Sequence, residues 1–187
     1  NSSGTIDFDQ TLSVDDIIAD TGTYNISFNS GSNITNDVIF DNSGTVSMAG
    51  GCTFNGGLDT SGNPSGTTTS GTVETNDAQM DLGDVTLTGN TTLLSGNAAL
   101  NVGSVTDGGN SYALDLQDGS STGAVSFSGA VTIATLNTFN SGYDVSFDGG
   151  CTIDTDTTFA NSGAVTLAGG CTFNGGLDTS GNPSGTT

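Results

Sequence analysis

The sequence predicts an all-β protein: a parallel β-helix (β-solenoid) with about 20 residues per coil and three short strands in each coil. Three observations predict it. Apolar and polar residues alternate over three or four positions between glycine-rich turns, a strand pattern and not a helical one. The alternation returns about every 20 residues along the whole chain, which is the mark of a solenoid. Residues 1–68 also align on residues 120–187 without a gap, with 34 identical positions.

Taken in order, the rungs are 25–44, 45–66, 67–83, 84–103, 104–123, 124–143, 144–163 and 164 onward. In the rung 45–66, Val46 and Met48 point inward, Gly50 and Gly51 turn the chain, and Cys52 and Phe54 point inward again. The rungs 67–83 and 84–103 carry the same pattern more loosely, and 104–123 is counted as one coil like its neighbours. Val125 and Phe127 open the next coil, Val145, Phe147, Cys151 and Ile153 the one after, and Val165, Leu167, Cys171 and Phe173 the last. These residues form the expected core ladder. Between repeat mates apolar stays apolar, as Ile6 and Val125 or Met48 and Leu167 do, whereas Asp7 faces Ser126 and Asp16 faces Thr135. One set packs an interior and the other meets water. Residues 45–163 contain six rungs in 119 positions. The chain is therefore expected as one continuous solenoid, 1–187, with a super-repeat of six coils. On this count Thr106 lies beneath Ser126. Glycine pairs supply the positive φ of the corners, and the crossover rule predicts right-handed winding.

The composition excludes several functions. There is no Lys, Arg or His among 187 residues, and 20 acidic residues give a formal charge of −20. Such a chain makes no side-chain salt bridge and cannot neutralise phosphates, which excludes nucleic acid as a partner. No run is long and apolar enough to insert into a membrane. Repulsion among carboxylates favours solubility at a cost in compactness, and salt or divalent cations screen it. Only 32% of the chain is hydrophobic, enough for a thin core whose backbone groups pair with the coils above and below. A chain without Lys or Arg offers no site to a trypsin-like protease, which suits an extracellular life.

Cys52, Cys151 and Cys171 are assigned to one column, shared with Ser32 and Val131. Three cysteines at these spacings form neither a disulfide framework nor a zinc motif, so free, buried thiols are expected. Stacked Cys151 and Cys171 point in parallel, a poor geometry for a disulfide. Catalysis finds little support, and the chain is read as not an enzyme. A lyase on this scaffold needs a Lys or Arg base. An Asp-based polysaccharide hydrolase needs paired carboxylates, and the pairs Asp15 with Asp16 and Asp154 with Asp156 are each broken in the other copy. No cofactor is expected. Calcium is the one candidate, through Asp154, Asp156, Asp115 and Asp118, although no calcium-loop signature accompanies them. Two outward hydroxyl ladders are expected. One runs through Ser27, Ser47, Thr86, Thr106, Ser126, Ser146 and Thr166. The other runs through Ser13, Thr53, Thr92, Thr132, Thr152 and Thr172. Ice-binding arrays show two outward ranks of Thr on one face; single ranks fit ordinary Ser/Thr stacking.

The rungs GAVTLAGGCTFNGG and DVTLTGNTTLLSGNAALNVG resemble the repeat region of filamentous haemagglutinin-like proteins and giant autotransporter adhesins of bacteria, over essentially the whole chain. That resemblance implies a right-handed parallel β-helix, export across the outer membrane, and service as an adhesive or structural fibre. The complete lack of Lys and Arg departs from the family. The leading expectation is a structural segment of an extracellular fibre whose partner is itself, by axial stacking or tandem continuation. The alternative is an adhesin module that holds a glycan or host surface along one face. Neither end shows a polar cap, and an uncapped solenoid end invites stacking. Residues 59–66 read as a corner two residues longer than usual, and Asn63, Pro64 and Ser65 are its expected point of lateral contact, recurring every six coils.

Overall fold

The computed structural model describes residues 3–119 and 121–187. Among them there is no helix, and the paired strands run parallel in a β-solenoid of about nine coils. Each coil crosses three faces. On the first, nine strands stack in the order Ser3–Phe8, Thr23–Phe28, Thr45–Met48, Gly66–Glu74, Val85–Leu94, Val105–Thr106, Val131–Ile133, Cys151–Ile153 and Cys171–Phe173. The two long strands, Gly66–Glu74 and Val85–Leu94, bend round the corner and also serve the second face. There they join Leu12–Val14, Ser32–Ile34 and Cys52–Phe54 on one side and Ala113–Leu116 and Thr135–Thr138 on the other. Thr157–Thr158 and Leu177–Asp178 continue that face as a separate pair. The third face holds Val38–Ile39, Leu58–Asp59, Met80–Leu82, Leu100–Val102, Val125–Phe127, Val145–Phe147, Ala164–Leu167 and Gly185–Thr186.

The alternation does what period-two chemistry demands: inward residues form one core and outward residues form ranks. Val46, Met48, Cys52, Phe54, Val125, Phe127, Val145, Phe147, Cys151, Ile153 and Val165 are buried. Leu167, Cys171 and Phe173, in the last coil, are half-buried against the same cluster. Corners stack as closely as strands do. A Cβ on Gly31, which has φ 85°, would sit 2.3 Å from the carbonyl oxygen of Gly51 in the next coil. Only glycine fits there.

The register departs from a stack of 20-residue coils at one place. Val105 pairs with Val131 and not with Val125, which lies on Leu100. Thr106 accordingly faces Thr132 and not Ser126. Residues 104–123 supply only two strands, Val105–Thr106 and Ala113–Leu116, because the turn-forming runs 107–112 and 117–124 are spent on two long corners. The coil from Val105 to Val131 therefore spends 26 residues on one turn. Ile6 lies on the first face and its repeat mate Val125 on the third; Leu12 lies on the second and its mate Val131 on the first. The super-repeat is thus not six coils but five and two-thirds. The second copy is turned by one face against the first.

The interior accepts the turn because its three sides are equivalent. Phe28 meets Phe40 at 6.3 Å and 76°, and the mates Phe147 and Phe159 meet at 6.2 Å and 71°. Phe40 with Phe54 and Phe159 with Phe173 repeat the same edge-on contact at 6.4 and 6.3 Å.

Candidate functional site

The longer corner is the most distinctive surface feature, and it is assembled by side-chain turns. Asp59 Oδ1 accepts hydrogen bonds from the backbone N–H and the hydroxyl of Ser61, both at 2.7 Å. Asn63 Nδ2 donates to Asp41 Oδ1 at 2.9 Å, and the Ser65 N–H donates to the Gly44 carbonyl at 3.1 Å. Pro64 is half-buried, whereas Ser61, Gly62, Asn63 and Ser65 are exposed. The corner lines a cleft of about 440 Å³ together with Asp81, Asp84, Asn101, Ser126 and Ser128. Asp84 is held below the usual carboxylate range by the Ser104 hydroxyl and N–H. The cleft combines apolar surface from Pro64, Leu82 and Val102 with carboxylate, amide and hydroxyl groups one coil apart. The copy of the corner, residues 178–184, keeps the same turn: Asp178 Oδ1 accepts from the Ser180 N–H and hydroxyl at 2.8 and 2.7 Å. It lies between the second and third faces, whereas the first copy lies between the third and first.

The carboxylates are managed without cations. Asn side chains one coil on donate to Asp9, Asp16, Asp41, Asp77, Asp81, Asp115 and Asp154 at 2.6 to 3.0 Å. These charge-assisted bonds are stronger than neutral ones, and each keeps a second carboxylate out of the adjacent position. Asp59 and Asp81 are an exception, paired in register on the third face. There the Ser61 turn and the Asn101 and Gln79 amides take up the lone pairs.

The four calcium candidates are dispersed. Asp115 and Asp154 are each bonded to an Asn of the next coil, and Asp118 and Asp156 sit exposed in turns. Among the described residues no three His, Cys, Asp or Glu side chains converge on a point that could hold a metal. The pair Asp15 and Asp16 likewise turns to Thr35 and Asn36. The cysteine column is corrected by the register. Cys52 lies on the second face between Ser32 and Val73, and Cys151 and Cys171 lie on the first above Val131. All three thiols are free. Burial raises the pKa of Cys52 and Cys151, which leaves them poor nucleophiles. The hydroxyl ladders are redrawn too. Ser27, Ser47, Thr68, Thr86, Thr106, Thr132, Thr152 and Thr172 form one rank on the first face. Ser126, Ser146 and Thr166 continue the rank of Asp81 and Asn101 on the third.

Among the buried polar groups that escaped the sequence reading, Gln117 and Asp107 belong to the long coil, and Tyr143 bonds to it from the following coil. Gln117 Oε1 accepts from the N–H groups of Ser95 and Gly96, and its Nε2 donates to Ser95 Oγ and the Gly123 carbonyl. Asp107 accepts from the N–H groups of Gly109 and Ala134. The Tyr143 hydroxyl donates to the Leu116 carbonyl at 3.0 Å. Their signal in the sequence is the weak apolar content of residues 104–123. No protein-family model, no curated protein and no solved structure matches the chain.

Proposed function

We propose that the chain is a structural segment of an extracellular or cell-surface fibre, in which the solenoid supplies span, stiffness and a repeated surface. One observation carries the reading: parallel, in-register pairing runs from coil to coil along the first and third faces through all the described residues, an architecture that extends by adding coils. Ile6 is 47% and Leu177 43% exposed in the first and last described coils, so a further coil covers apolar surface whether it comes from the same chain or from a second copy. The filamentous haemagglutinin-like resemblance supports the same reading. Divalent cations or salt assist by screening the −20 charge without a dedicated site, and no residue is assigned a catalytic role. Electron microscopy at rising salt tests the proposal: end-to-end filaments are expected, shortened by Leu177→Lys. Short rods of unchanged length under every condition speak against self-stacking.

A second reading rests on the cleft that the corner lines. Its amide, hydroxyl and carboxylate lining suits a neutral saccharide and repels an anionic one. Discrete rods that bind neutral oligosaccharides on a glycan array, and lose them on Asn101→Ala, would select the adhesin role instead.

A further inference from the structure

Residues 49–68 and 168–187 are identical at all 20 positions, whereas the 48 residues before them share 14. Packing explains only part of that identity. Ser61, Gly62, Asn63 and Ser65 are exposed in the first copy, and outward residues elsewhere differ freely between copies, as Asn33 and Thr152 do. The two corners are also built alike, from the turns at Asp59 and Asp178 to the bonds from the Ser65 and Ser184 N–H groups to the Gly44 and Gly163 carbonyls. The chain therefore makes one small surface twice. Its tip, residues 61–65, carries no charge of its own, so a second acidic rod can meet it without setting one carboxylate directly on another.

We propose that the 119-residue repeat is a screw element, which advances the rod by about 27 Å and turns it by a third of a turn. The same corner then meets a second copy of this chain on two different sides of one rod. The phase is set by the long coil from Val105 to Val131, held by Gln117 and Asp107. A translation of six whole coils would line the corners up on one side and join rods into flat ribbons. The screw spreads the contacts round the axis and joins rods into bundles. In a tandem series the corner returns to its starting side after three units, about 82 Å or 17 coils. The lateral role rests on the fibre reading; the screw does not.

Two experiments separate them. A monovalent Fab against the peptide of residues 59–65 is bound to the whole chain and imaged as single particles. Two Fabs per rod, splayed by about a third of a turn, are expected; two in line on one side overturn the screw. For the lateral role, Gly62→Asp and Gly181→Asp place a charge on each tip, where an added side chain meets nothing within 4 Å. The double variant is expected to keep the wild-type melting temperature and single filaments, with at least tenfold less sedimentable bundle at the same salt. The Gly62→Asp variant alone should retain partial bundling. Bundling equal to wild type in the double variant overturns the corner contact. If no filaments form at all, the fibre reading and its lateral contact fail together, and the Fab angle still decides the screw.

Discussion

Replacing Gln117 by Ala removes the group that holds the long coil together. Gln117 is fully buried, and its amide makes four hydrogen bonds of 2.8 to 3.2 Å: from Ser95 N–H and Gly96 N–H, and to Ser95 Oγ and the Gly123 carbonyl. A net hydrogen bond is worth about 1 kcal/mol, and a buried N–H left without a partner costs about 1–3 kcal/mol. Ser95 Oγ keeps its bond to the Ala98 carbonyl, so it is not orphaned. The two N–H groups, the Gly123 carbonyl and the void remain, and a loss of about 3–5 kcal/mol is expected. Gln117→Gly should recover about 1 kcal/mol of this, because Gln117 sits at φ 54°, where glycine alone is unstrained. The control is exposed Gln10→Ala, expected within about 0.5 kcal/mol of wild type. Urea unfolding followed by circular dichroism measures all three. A repeat fold transmits stability through neighbours, so Gln117→Ala should also split the transition into two, one for the coils on each side. An unsplit transition within 1 kcal/mol of wild type would falsify the view that this amide fixes the phase of the repeat.

The remaining predictions concern register, ionisation and packing. In a Cys171→Ser background, pyrene attached at Thr106→Cys and Thr132→Cys should give strong excimer emission, and at Thr106→Cys and Ser126→Cys little; the reverse would restore the six-coil count. Tyr143, pushed up to about 12 by burial, has a folded pKa above its unfolded value near 10. Its contribution is therefore intact below about pH 10 and falls by on the order of 2–3 kcal/mol toward pH 12. Buried Cys52 and Cys151 add to the alkaline loss, so Tyr143→Phe should make the decline shallower in a melting series from pH 8 to about 11 without abolishing it. An unchanged slope would mean that the phenol is not the group titrating. A Cβ at Gly149 would lie 2.3 Å from the Gly129 backbone carbon, whereas at Gly62 it meets nothing. Gly149→Ala should cost about 2–3 kcal/mol and Gly62→Ala nearly nothing, by chemical denaturation; equal effects would refute the close approach of the coils.

Cross-section was readable from the sequence, and phase was not. Inward residues such as Val46, Phe54 and Val145 declare themselves by alternation, which is local. Stacking depends on how many residues each corner consumes, and glycine-, serine- and aspartate-rich runs do not state that number. Residues 104–123 count as 20 and look like a coil, yet they hold two apolar strand signals where their neighbours hold three. That deficit moves every later ladder by one face, including the cysteine column and both hydroxyl ladders. Thr67, Thr69 and Thr91 mislead in another way. Apolar alternation does not flag them, yet they are buried, with Thr67 bonded to Thr60 and Thr69 to Thr91. The Asp-to-Asn contacts at spacings of 20 to 22 residues were visible in the sequence but carry meaning only once the coils are stacked.

Those contacts also explain how a chain without a single cation can be a tightly stacked rod. In-register stacking sets each outward side chain about 4.8 Å from its neighbours, which would pile like charges on one another. An amide in the next coil supplies a donor to the carboxylate and adds no charge of its own. Asp9 to Asn29 and Asp154 to Asn174 show the same solution at opposite ends of the chain. The solution works on any face, because it needs only a neighbour one coil away. So does the interior, where the contacts of Phe40 with Phe28 and Phe54 recur as those of Phe159 with Phe147 and Phe173 after a rotation. Surface and core are both indifferent to which face they occupy. One long coil is then sufficient to turn everything that follows, and the unit that repeats in sequence need not be the unit that repeats in space.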